Sequence, residues 1–168
     1  YGAATETYER IVREYPQSKL VDEALFRAAV NHQRFFDFDK AVTAYQQLGT
    51  DPRFKTSTHR HDALYNAALI AENDQRYGLD ADLWKQYAQS DKTAADEAAT
   101  AYFRAALSIE KLGPAARAEQ ELSQFVTRYG QNGSVLAQVV EATVRLSRVQ
   151  QKQGNPFDAT ENLKRAAQ

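Results

Sequence analysis

Apolar residues recur along this chain at helical rather than strand spacing. The pattern is clearest from Asp22 to Leu48, DEALFRAAVNHQRFFDFDKAVTAYQQL. Ala24, Leu25, Ala28 and Ala29 share one face of a first predicted helix. Ala41, Ala44, Tyr45 and Leu48 share one face of a second, and a short turn near Phe36 and Asp37 separates the two. Small residues on the facing stripes let the helices approach closely. A helical hairpin of this size cannot bury both apolar faces alone, so it requires neighbours of the same kind.

The rest of the chain supplies them. Ala4, Tyr8 and Ile11 mark a first helix, stopped at Tyr15-Pro16 because proline cannot continue it. Ser18 is placed to cap the helix that follows, and Asp37 to cap the next. Residues 50–55 read as a connector. From about Thr58 the order Ala63, Leu64, Tyr65, Ala67, Ala68 repeats that of Ala24, Leu25, Phe26, Ala28, Ala29, and a partner helix carries Leu83, Trp84 and Tyr87. The run from Ala101 to Ala106 matches Ala24 to Ala29 in its leading alanine and its Phe-Arg-Ala-Ala. Gly113-Pro114 ends one helix and opens another, which holds Ala118, Leu122 and Phe125. Gly154-Asn155-Pro156 divides a last hairpin. The expectation is an all-α chain of nine helices: the second half of one repeat at 1–17, then hairpins at about 19–50, 58–90, 92–129 and 134–167. These form one repeat domain over 1–168, expected to be a piece of a longer protein.

The spacing is regular. Second-type helices register on Ala4, Ala41, Asp80, Ala118 and Ala159, at intervals of 37, 39, 38 and 41 residues. First-type helices register on Ala24, Ala63 and Ala101, at 39 and 38. Two independent sets of anchors with one period point to a helical solenoid rather than a bundle with accidental alanine similarity.

Composition narrows the function classes. With 21 basic and 22 acidic residues the net charge is -1, which lacks the basic excess of a nucleic-acid surface. No apolar run approaches the ~20 residues that span a bilayer. There is no cysteine, hence no disulfide framework and no thiolate metal site. His59 and His61 stand two apart and do not face each other on a helix; His32 is the sole histidine of its helix. No metal or other cofactor is expected. Nucleophile-elbow, zinc-protease and phosphate-loop patterns are absent. The acidic pair Asp22-Glu23 sits at a helix start, where it suits the helix dipole. The chain does not read as an enzyme.

The repeat resembles the tetratricopeptide repeat (TPR). Ala29, Ala68 and Ala106 match its small residue in the first helix. Gly113 and Gly154 match the turn glycine, and Phe38 and Tyr77 the turn aromatic. Ala41, Ala118 and Ala159 match the small residue of the second helix, and Tyr45, Trp84, Leu122 and Leu163 the large one after it. The departures are a period longer than the usual ~34 residues, Phe36 at a glycine position, Asp80 in place of the second-helix alanine, and Ser147 at the small first-helix position. The resemblance implies a right-handed α-solenoid of helical hairpins that binds a protein or peptide partner on its concave face. A narrower likeness, Tyr8 to Ser18 followed by Asp22-Glu23-Ala24, is to bacterial envelope TPR proteins: the outer-membrane-assembly lipoproteins and the Tol-associated periplasmic coordinators. That likeness implies a periplasmic or envelope-associated adaptor, with a cytoplasmic location as the alternative.

Register then names a candidate surface. Phe26, Tyr65 and Phe103 occupy equivalent first-helix positions, and Val30, Leu69 and Leu107 lie one turn further. The expected groove is an aromatic and aliphatic ladder on which a partner segment lays apolar side chains; the competing expectation is that these residues pack between neighbouring helices. Arg27, Arg104 and Arg145 are equivalent to one another, with Arg27 and Arg104 expected as polar guides at the rim. Phe, Tyr, Val and Leu in the groove do not support a Lys and Asn clamp for a terminal carboxylate. The function expected is a non-catalytic protein-interaction scaffold, which the narrower likeness would place in an envelope machine, against the alternative of a structural or oligomerisation module that extends a longer array.

Overall fold

Consecutive amphipathic helices joined by turns too short for any crossing must fold back on one another. In the computed structural model, which describes residues 2–166, they do so within each of two compact units. Among the described residues there are nine α-helices and no strand: α1 Gly2–Glu14, α2 Val21–Arg34, α3 Phe38–Thr50, α4 Arg60–Asn73, α5 Tyr77–Ala88, α6 Ala95–Leu112, α7 Ala115–Tyr129, α8 Leu136–Lys152 and α9 Pro156–Ala166. Short 3-10 turns at Pro52–Phe54 and Gly133–Val135 lead towards α4 and into α8. The chain is thus all-α, built of stacked helical hairpins as expected. The side chain of Leu163 lies outside the described residues.

Turn chemistry explains where the helices stop. Asp37 caps α3, its carboxylate accepting from the Lys40 backbone N–H at 3.4 Å. Ser18 does not cap α2. Its hydroxyl accepts from the Leu20 N–H at 3.2 Å, and Leu20 itself holds the cap position without a side-chain bond. Gly113 and Gly154 adopt positive φ at 105° and 81°, which costs glycine nothing.

The chain divides into two compact units between Arg76 and Tyr77, after α4 and at the start of α5. In the first unit α1 packs on α2, α2 on α3 and α3 on α4. The small first-helix residues Ala29 and Ala68 are fully buried, as are Ala41, Tyr45 and Leu48. The repeat alanines therefore sit at helix contacts. Gly49 marks a close approach: a Cβ there would stand 2.7 Å from Leu64 Cδ2 on α4. Thr5, not Ala4, is the buried residue of α1, and its hydroxyl accepts from Asn31 Nδ2 at 3.1 Å.

In the second unit α5 to α9 pack in sequence order. Its core joins Phe103 and Ala106 of α6, Ala118, Leu122 and Phe125 of α7, and Val139, Ala142 and Leu146 of α8. Asp80, at an alanine position of the repeat, is fully buried, and its Oδ2 accepts from Ser108 Oγ at 2.7 Å. That bond compensates part of the cost of placing a carboxyl in the interior.

Candidate partner-binding site

Positions 26, 30 and 34 stand at helical spacing on one face of α2. Phe26, Val30 and Arg34 follow at four-residue intervals and line an open cleft of about 420 Å³. Ala4 and Tyr8 of α1 form a wall, Asn31 adds to the floor, and His59, just before α4, closes one end with Glu23 and Arg27.

The closed end is a built cluster. The His59 imidazole stacks on the Phe26 ring, centroids 4.6 Å apart and 18° from parallel. Its Nε2 lies 2.5 Å from Glu23 Oε2, while the other Glu23 oxygen accepts from Arg27 Nε. The Arg27 guanidinium, followed by His59, holds the Glu23 carboxyl below the usual carboxylate range. Tyr45 meets the Phe26 ring edge-on at 5.8 Å. At the opposite end Arg34 is exposed and makes no hydrogen bond or ion pair among the described residues. The charged side chains lining the cleft therefore leave one surplus guanidinium.

The predicted stripe is not uniform in exposure. In the first unit Phe26, Val30 and Leu69 are half-buried, and Tyr65 is 40% exposed. In the second unit Phe103 is only 7% exposed, its ring 5.3 Å from Phe125 within the core, and Leu107 packs half-buried against that core. Phe103 is thus a packing residue, the competing expectation at this position. The three equivalent arginines are each engaged: Arg27 on Glu23, Arg104 over the Trp84 ring at 4.8 Å, and Arg145 on Glu110 and Glu141 at 2.8 and 2.7 Å.

Sequence reasoning missed what histidines do here. His32 is buried, with Nε2 2.9 Å from Glu9 of α1 and Nδ1 3.6 Å from Asp37 in the turn after α2. It ties three segments together. A second cleft of about 310 Å³ lies beside it, floored by Val12, Leu25, Ala28 and Ala44. Its charged lining is already paired: His32 with Glu9, Lys40 with Asp37 at 3.1 Å, and Asp39 with Arg76. Asp22, read as a dipole residue, accepts from Ser57 Oγ at 2.8 Å across 35 residues of chain. Among the described residues no group of three or more His, Asp or Glu side chains is placed to hold a metal, and no helix is long and apolar enough to cross a membrane.

Comparison with known proteins agrees with this architecture. Residues 23–51 and 100–132 match the model of the tetratricopeptide repeat family. No curated protein matches the sequence. Among solved structures, a crystal structure of MamA is similar over 97% of this chain and 84% of its own, at 13% identity and a TM-score of 0.55. MamA from Desulfovibrio magneticus RS-1, residues 41 to the end, is similar over 99% and 92%, at 12% identity and a TM-score of 0.53. BtubC from P. vanneervenii is similar over 95% and 69%, at 14% identity and a TM-score of 0.57. Likeness at such identities concerns the fold. Tetratricopeptide repeats generally mediate protein–protein interaction.

Proposed function

We propose that this chain is a non-catalytic scaffold that binds a segment of a partner protein in the cleft along α2. One observation carries the reading: half-buried Phe26 and Val30 line an open cleft whose far end holds the uncommitted Arg34. Clefts of a few hundred Å³ with an apolar lining and a few polar groups are the usual form of a binding site. Phe26, Val30 and Arg27 are the members of the predicted stripe that this cleft gathers. Tyr65 and Leu69 on α4 are candidates by register in the first unit, and Arg104 and Leu107 on α6 are candidates by register in the second. The local likeness of Tyr8 to Ser18 to envelope TPR proteins favours work in a bacterial envelope, which cell fractionation checks.

A random peptide library displayed against the purified chain tests the site. Selected peptides should bind wild type and lose binding to Val30→Glu, with helix content by circular dichroism unchanged. Equal binding to both would remove the cleft from the function.

A further inference from the structure

We propose that the occupant of the α2 cleft is an extended segment carrying two apolar side chains at alternate positions and a carboxylate at the next alternate position. This rests on the cleft being the binding site.

The argument is one of matched spacing. Phe26, Val30 and Arg34 stand four residues apart on one helix face, so they lie roughly 6 Å apart along the axis. Alternate residues of an extended chain point the same way and repeat every ~6.6 Å. A strand-like segment laid along α2 therefore presents its first, third and fifth side chains to Phe26, Val30 and Arg34 in turn. A helical occupant repeats its contacts every four residues rather than every two, so the spacing of the contacting residues in the peptide test separates the two forms.

Charge decides the fifth position. At the other end the Glu23 carboxylate is already shared between Arg27 and His59. Arg34, in the last turn of α2, offers the only cleft guanidinium without a carboxylate among the described residues. A planar guanidinium binds a carboxylate through two parallel hydrogen bonds. A lysine there would meet like charge, and a neutral side chain would forgo the pairing.

Labelled peptides of glycine and serine carrying Leu, Leu and Glu at alternate positions, in both chain directions, are titrated by fluorescence anisotropy against the intact chain. One direction should bind, and replacing its Glu by Gln, or moving the Glu one position along, should weaken binding about tenfold or more. Arg34→Gln should cause the same loss, and Arg34→Glu should restore binding to a peptide with Lys in place of Glu. If Glu, Gln and Lys peptides bind alike, yet all are lost on Val30→Glu, the carboxylate pairing is overturned and the cleft stands. If none of the peptides binds wild type, the proposed occupant is overturned, while the library-selected peptides still judge the cleft. Arg34 is exposed, so its variants should keep wild-type circular dichroism.

Discussion

Phe36 and Gln75, 39 residues apart, hold the same left-handed backbone, φ 61° and 58°, each in the turn that follows a first-type helix. Gly113 and Gly154 stand at the corresponding places in later hairpins. A residue with a Cβ pays about 1–2 kcal/mol for this conformation. Glycine avoids that cost but loses ~0.4–1 kcal/mol of unfolded-state entropy. Gln75→Gly should therefore stabilise the fold by about 0.5–1 kcal/mol, and Phe36→Gly by less, because the Phe36 ring meets Phe38 edge-on at 6.1 Å. Gly113→Ala should destabilise by about 1 kcal/mol. Urea unfolding midpoints at constant m-value check all three.

Gly49 sets two effects against each other. Alanine inside a helix gains about 1 kcal/mol over glycine, and less at Gly49, next to the last residue of α3. Its Cβ would meet Leu64 Cδ2 at 2.7 Å and Cγ at 2.9 Å, and Leu64, 2% exposed, has little room to move. Overpacking costs ~1–3 kcal/mol, so Gly49→Ala should be net destabilising by about 1 kcal/mol. Leu64→Val in the same chain should recover part of that loss. Thermal melts of the single and double variants decide; a more stable Gly49→Ala would show that α3 and α4 separate easily.

Helix positions were legible because the alanine pattern obeys one period, and the anchor alanines apart from Ala4 are buried. Gly113 and Gly154 announced their turns through their own chemistry. Phe36 and Gln75 could not, since neither residue type prefers the left-handed backbone that its turn holds. The candidate site was legible in part. Register placed Phe26 and Val30 on an open face, but it assigned the same exposure to Phe103, whose burial depends on Phe125 of the next helix. The stack of His59 on Phe26 and the bond from His32 to Glu9 join separate elements, and no local pattern encodes them. Arg34 was missed because an arginine in a last helical turn reads as a helix-dipole residue.

Equivalent positions should respond unequally to truncation. Phe103→Ala empties a packed site against Phe125 and should cost about 3–5 kcal/mol. Tyr65→Ala, at the same place in its repeat but 40% exposed, should cost under ~1 kcal/mol. Urea denaturation of the two single variants measures this. Equal losses would mean that the tyrosine side chain is structural too, and that a double substitution at these positions reports on folding rather than binding.

Tyr45 links stability to alkaline pH. Its ring is fully buried, its hydroxyl donates to Gln33 Oε1 at 3.0 Å, and burial pushes its pKa up from 10.0 to about 12. Arg34 acts in the opposite direction, and more weakly. The folded chain keeps this proton at a pH where the unfolded chain has released it. The stabilisation is thus fully present below about pH 10 and is lost as the pH rises towards about 12. The full loss is on the order of 3 kcal/mol. Tyr45→Phe removes the titrating group and the bond to Gln33, and should cost about 1 kcal/mol at neutral pH. Its stability should then fall less steeply than wild type across the alkaline window. Unfolding free energies measured from pH 8 upward should make the two curves converge; parallel curves would show that the Tyr45 hydroxyl is solvated in the folded state.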